Sequence, residues 1–219
     1  MKQLIIFGTG AFAEVAHFYF NHDSLYSVEA FCADTQFIRQ AEFKGLPVLP
    51  FQDVEKSFSP AEFELFVAIG YTKLNRNRAA KCKEAQEKGY RLASYVSSRI
   101  SALQTPQLGQ NCFIFEDNTI QPFTRFGDNV IMWSGNHIGH HTVIGNDCFI
   151  TSHVCIGGGS VIEDACFIGM NATIRDGIKI GRQCIIGAGA LILKDTKPNE
   201  VYSVAGTKAR EITSDQIDL

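Results

Sequence analysis

The chain has 219 residues, a formal net charge of −3, 45% hydrophobic residues and 20% charged residues. These figures describe an ordinary globular chain of one or two domains, and the mild acidity excludes a basic footprint for nucleic acid or an anionic membrane. No apolar run approaches a membrane span, the chain opens on a strand-like segment in place of a signal peptide, and seven cysteines without a CxxC pair argue against a zinc ribbon or redox motif, so a cytoplasmic setting is expected.

In chain order, Lys2–Phe7 reads as a buried strand and Ala11–His22 as a helix. Ser27–Cys32, Leu46–Pro50, Leu65–Gly70 and Arg91–Val96 read as further strands, with a helix over Leu74–Lys88 closed by Gly89. Strands separated by helices predict a small parallel α/β sheet, half of a doubly wound fold, over residues 1–97. Gly8-Thr9-Gly10-Ala11-Phe12-Ala13 lies between the first strand and the first helix. There the glycines allow a tight turn and the helix N-terminus offers unpaired N–H groups to a phosphate. Asp34 ends the second strand where an acidic residue meets a ribose or base, and Gly70 is expected at the same carboxyl edge. Gly8, Thr9, Gly10, Asp34 and Gly70 are therefore the candidate nucleotide-binding residues, with Tyr71, Lys73, Asn75 and Arg78 within reach of a phosphate. The short domain suits a mononucleotide better than a dinucleotide; a nicotinamide redox site and a ligand-free glycine turn are the rivals.

From residue 98 to 194 a different rule takes over. Ile138, Ile144, Ile150, Ile156, Ile162, Ile168, Ile174, Ile180, Ile186 and Ile192 are six residues apart, and the register runs back through Met132, Phe126, Ile120, Ile114 and Leu108. Four residues after the aliphatic, from Thr142 to Ala190, comes a small or β-branched residue, and Cys112, Cys148, Cys166 and Cys184 all occupy that slot. A hexapeptide repeat predicts a parallel β-helix in which three hexads make one triangular coil and residues eighteen apart stack. The tail, 195–219, reads as a loop with a final strand or helix.

Four of six histidines, His137, His140, His141 and His153, fall within one coil's length. The stacking rule puts Gly158 and Gly159 directly above His140 and His141. Missing side chains there leave room for a ligand against the backbone, an arrangement suited to a general base beside an acyl donor.

The glycine loop, Val67-Ala68-Ile69-Gly70, the hexads and His140-His141-Thr142-Val143-Ile144-Gly145 together make the chain resemble the bacterial sugar acyltransferases. These include sialic-acid O-acetyltransferases and nucleotide-linked 4-amino-sugar N-acetyltransferases. The resemblance implies a left-handed β-helix after a Rossmann-like nucleotide-sugar domain, a homotrimer, and acetyl-CoA as acyl donor. It further implies His140 as catalytic base, with His141 standing where a glutamate usually follows, and coenzyme A contacts near Phe149, Gly158, Met170 and Ala188. Asp147 and Glu163 are candidate substitutes for the missing glutamate. The glycine loop lacks the histidine that relatives carry at Phe12, and the tail Gly206-Thr207-Lys208-Ala209-Arg210 lacks the family's proline. The implied reaction is acetyl transfer to a 4-amino-4,6-dideoxy nucleotide sugar for surface polysaccharide assembly. O-acetylation of a glycan hydroxyl and a non-catalytic nucleotide-binding scaffold are the alternatives. No metal is expected: trimeric β-helix carbonic anhydrases space two zinc ligands five apart, and no two of these four histidines are so spaced.

Overall fold

The computed structural model describes residues 2–209 and Glu211. Arg210 and residues 212–219 of the predicted tail lie outside the described residues.

The N-terminal part is built from β1 (Lys2–Phe7), α1 (Ala11–His22), β2 (Tyr26–Ala33), β3 (Glu42–Phe43), β4 (Leu46–Pro50), α2 (Val54–Ser57), β5 (Phe63–Val67), α3 (Arg76–Glu87) and β6 (Arg91–Leu92). The sheet order is β3-β4-β2-β1-β5-β6, parallel except for β3 against β4. That antiparallel hairpin is an addition to the expected parallel sheet. It turns on Lys44-Gly45, both at positive φ, the primed geometry that matches strand twist. β1 and β5 are apolar on both faces because each face is covered. One face buries Ile5, Phe7, Leu65 and Val67 with Cys82 and Ala85 of α3, and the other buries Leu4, Ile6 and Phe66 under α1.

The expected strand Arg91–Val96 is cut in two. Arg91–Leu92 closes the α/β sheet, whereas Tyr95–Val96 pairs with Phe113–Ile114 and opens the β-helix. Beyond Tyr95–Val96, two-residue strands stack in parallel into three sheets. One face, here called the docked face, carries Phe113–Ile114, Ile131–Met132, Phe149–Ile150, Phe167–Ile168, Ile185–Ile186 and finally Val201–Tyr202 from the tail. The second carries Thr119–Ile120, His137–Ile138, Cys155–Ile156, Thr173–Ile174 and Leu191–Ile192; the third carries Arg125–Phe126, Val143–Ile144, Val161–Ile162 and Lys179–Ile180. Pairings such as Ile131 with Phe149 and Val143 with Val161 keep the eighteen-residue stack. The hexad aliphatics and Cys112, Cys148, Cys166 and Cys184 fill the interior.

Each corner needs one residue in the left-handed region. From Asn111 to Gly189 every sixth residue has positive φ, between 53° and 76°. Asparagine, aspartate and glycine dominate this slot because they adopt that backbone at least cost. Its other occupants include Phe123, His141 and His153.

The two parts share a core. Phe113, Phe115, Ile131 and Phe149 of the docked face are buried with Phe20 and Phe66 of the α/β domain. Phe113 alone meets the rings of Phe12, Tyr19, Phe20 and Phe66 at 5.3–6.0 Å. Arg78, buried at 0% exposure, adds the polar part of the joint. Its guanidinium donates to Gly70 O, Asn129 Oδ1 and the carbonyls of Asn129, Asp147 and Cys148. Burial lowers its pKa to about 10.

Candidate active site

Two regions carry chemistry. The first lies at the carboxyl edge of the α/β sheet, as parallel sheets dictate. A cavity of about 430 Å³ is lined by Gly8, Thr9, Asp34, Phe37, Ile69, Asn77, Lys81 and Glu84, among others. Gly8 sits at φ 122°, and a Cβ there would stand 3.1 Å from the carbonyl oxygen of Ala68, so a side chain would meet both strain and crowding. Gly10 caps α1 without a side-chain hydrogen bond. Gly70 lies beyond the end of β5, outside the cavity lining, where its carbonyl accepts from Arg78.

The sequence reading missed Lys81. Its ammonium is 2.9 Å from Asp34 Oδ1 and 2.6 Å from Glu84 Oε2, above the rings of Phe7 and Phe51. Burial works to lower the Lys81 pKa, but the hydrogen bonds to Asp34 and Glu84 outweigh it and raise it. Asp34 therefore faces the cavity as one member of a charged cluster. Spacing on α3 was the available signal: Asn77, Lys81 and Glu84 are three or four residues apart and share a helix face.

The residues after Gly70, each read singly as solvated surface able to reach a phosphate, divide between the joint and the surface. Arg78 and Asn75 are buried in the joint, where Asn75 Nδ2 donates to Cys166 O. The Tyr71 ring packs 5.1 Å from Phe149 and 5.0 Å from Phe167. Lys73 stays exposed. The same packing corrects the expectation for Phe149. At 4% exposure, beneath Tyr71 and Arg78, it is joint packing and presents no surface to a cofactor.

The second region is the corner between the second and third faces, residues 139–142. His140 and His141 are exposed there. The backbone N–H of His140 donates to Gln121 Oε1 at 2.9 Å, and its carbonyl accepts from Gly159 N–H at 2.7 Å. A Cβ on Gly158 would stand 2.8 Å from Cε1 and Nε2 of His140, so only glycine leaves the ring in place. The imidazole thus lies against a bare backbone strip. Its Nδ1 is 3.1 Å from Nδ1 of His141, with the rings at 86°. His141 in turn packs against Phe123, ring centroids 4.7 Å apart, one coil below. Phe123 is a bulky, exposed residue at φ 69°, a costly combination of the kind found at working sites. A cavity of about 330 Å³ opens beside this pair, lined by Gln104, Gln107, Phe123, Thr124, Arg125 and His141.

The expected histidine cluster divides. His137 points outward from the second face, paired in register with Cys155, and His153 sits at the corner between the docked and second faces, against Gly135. Asp147 lies in the Arg78 joint, and Glu163 pairs with Lys179 on the third face. Neither carboxylate hydrogen-bonds His140. Gly158 belongs to the His140 corner, whereas Met170 and Ala188, both exposed, lie at the corner between the docked and second faces. Among the described residues, no group of three or more His, Cys, Asp or Glu is placed to hold a metal ion. No helix among them is long and apolar enough to cross a membrane.

The two regions belong to one architecture: an α/β domain joined to a hexapeptide-repeat β-helix. Residues 3–82 match the PglD N-terminal domain, and residues 159–194 match the bacterial transferase hexapeptide of six repeats. The fold is similar to that of the acetyltransferase domain of PglB from Neisseria gonorrhoeae FA1090 (22% identity, 92% of this chain, 96% of that chain, TM-score 0.81). The same domain in complex with acetyl coenzyme A matches at 21% identity over 91% of this chain and 95% of that one, with a TM-score of 0.68. PerB from Caulobacter crescentus, in complex with CoA and GDP-perosamine, matches at 22% identity over 93% of each chain, with a TM-score of 0.76. No curated protein matches the chain.

Proposed function

We propose that this chain is an acetyl-CoA-dependent sugar acetyltransferase that acylates the amine of a nucleotide-linked amino sugar, with His140 as general base. One observation carries the reading: the His140 imidazole stands against the backbone of Gly158 and meets His141 through Nδ1, while the His140 backbone N–H donates to Gln121. A thioester laid along that strip meets a base with no side chain in between. The similar folds bound to CoA, acetyl coenzyme A and GDP-perosamine support the choice of donor and acceptor class. The carboxyl-edge cavity, with Gly8, Thr9, Asp34 and Lys81, is the corresponding seat for the nucleotide.

In the reaction, the sugar amine attacks the thioester carbonyl while His140 Nε2 takes its proton. Topology supports a site shared between copies. The α/β domain covers the docked face, and the His140 corner is the one opposite that face. A nucleotide held by one chain's cavity therefore lies across the prism from the same chain's base, and a homotrimer brings a neighbour's cavity round to it. The split of Gly158 from Met170 and Ala188 between two corners suits a coenzyme groove walled by two copies.

The test is turnover of acetyl-CoA with 4-amino sugar nucleotides and their 4-hydroxy counterparts, followed by thiol release. Acetylation of the amino sugar alone is expected. Turnover of the hydroxy sugar alone assigns O-acetylation, and binding of nucleotide without any turnover assigns a scaffold. Cytoplasmic residence and a role in surface polysaccharide assembly belong to the same proposal.

A further inference from the structure

Among the described residues no carboxylate hydrogen-bonds the His140 ring; the carboxylate at this corner, Asp176, accepts from Gly158 N–H at 2.8 Å. On the functional reading above, we propose that His141 is the positioning partner of His140 and passes protons between that ring and water, so that the pair acts as a neutral imidazole relay. The geometry fits a shared proton: two Nδ1 atoms 3.1 Å apart form a hydrogen bond when one carries the proton and the other offers its lone pair. With Nδ1–H on His140, the His140 Nε2 lone pair faces the Gly158 strip and His141 keeps its proton on Nε2. His141 is exposed and lines the 330 Å³ cavity beside Phe123, so that proton has a path to water.

The steps balance. The amine nitrogen bonds to the thioester carbonyl carbon, and its proton goes to His140 Nε2. His140 gives its Nδ1 proton to His141 Nδ1, and His141 gives its Nε2 proton to water. As the C–S bond breaks, His141 takes a proton from water at Nε2 and returns the Nδ1 proton to His140, and the thiolate takes the Nε2 proton from His140. Amine and thioester become amide and thiol, and no charge is left on the His140 ring, because the carboxylate at this corner, Asp176, accepts from Gly158 N–H and not from the imidazole. Phe123 packs on the His141 ring and limits its rotation, which gives a role to its unfavourable backbone.

The left-handed slot makes a clean test possible, because glycine already fills it at 135, 159, 177 and 189. His141→Gly is expected to fold like the natural chain and to lose about 10²-fold in kcat, with little change in KM for either substrate. Added imidazole is expected to restore part of the rate. Unchanged kcat, or a loss that imidazole does not relieve, overturns the relay. ¹⁵N NMR of the labelled natural chain reads the tautomer without any turnover: His140 protonated on Nδ1 is expected, and His140 protonated on Nε2 overturns it. If the natural chain acetylates no amino sugar, the functional reading falls, while the NMR result still decides the pair.

Discussion

Arg78 Nε donates to Asn129 Oδ1 at 2.8 Å across the seam between α3 and the β-helix. The same guanidinium reaches carbonyls on both sides. Removing it strands buried acceptors and leaves a void. Arg78→Ala is expected to cost about 3–5 kcal/mol of stability, as for removal of one partner from a buried charged network. Arg78→Lys is expected to recover little, since an ammonium lacks the planar fork. Urea unfolding measures both.

Two carboxylates give opposite pH dependences. Asp23 is partly buried, which pushes its pKa up, but donors from Ser98, Tyr95 and Ser97 outweigh this and hold it below the ordinary 3.8. Its stabilisation is present above the unfolded value and is lost as pH falls through the lower folded value. Asp147 is raised, chiefly by burial, against the pull of Asn129 and Arg78. Its neutral form is the better fit, so its contribution declines as pH rises through its unfolded value towards neutrality. Asp23→Asn is expected to flatten the acid limb of the stability curve. Asp147→Asn, with asparagine suited to that corner, is expected to gain relative stability at pH 7 over pH 3. Thermal melts across pH check both signs.

Gly158→Ala keeps an allowed backbone but drives a methyl group into the His140 ring. A displacement near 1 Å is expected to lower kcat by about 10²-fold. The melting temperature is expected to change little because the ring is exposed and can move. Steady-state kinetics beside calorimetry makes the comparison.

In the nucleotide cavity, Asp34→Ala removes a charged hydrogen-bond partner from Lys81 and from any ribose or base it meets. A rise in Kd for nucleoside diphosphate of about 10–100-fold is expected, the equivalent of one charged hydrogen bond. Titration calorimetry reads it, and kcat at saturating substrate is expected to hold.

Much of this architecture was legible because hexads leave few options. An aliphatic every six residues must point inward, and the eighteen-residue stack then places Gly158 on His140 without coordinates. The glycine loop placed Gly8, Thr9 and Asp34 at one edge for a similar reason: parallel strands bring their carboxyl ends together. The reading failed where tertiary packing decides. Arg78 and Asn75 each look like solvated surface able to reach a phosphate until α3 docks on the β-helix. Phe149 occupies an outward slot that is open on the other two faces and closed on the docked one. The contact of His140 with His141 was not legible either: the pair stands in the sequence as neighbours, but only the left-handed backbone at His141 turns its ring edge to His140.

The measurement that bears most directly on the shared site is complementation. His140→Asn removes the base and Asp34→Ala disables the nucleotide cavity; each variant alone is expected to be nearly inactive at low substrate. Co-expressed in equal amounts, they form mixed trimers in which one chain's intact His140 meets a neighbour's intact cavity. In a symmetric assembly with random mixing, about a quarter of the sites regain both parts, and activity near that fraction of the natural enzyme is predicted. Mixed trimers that stay as inactive as either variant alone would contradict it.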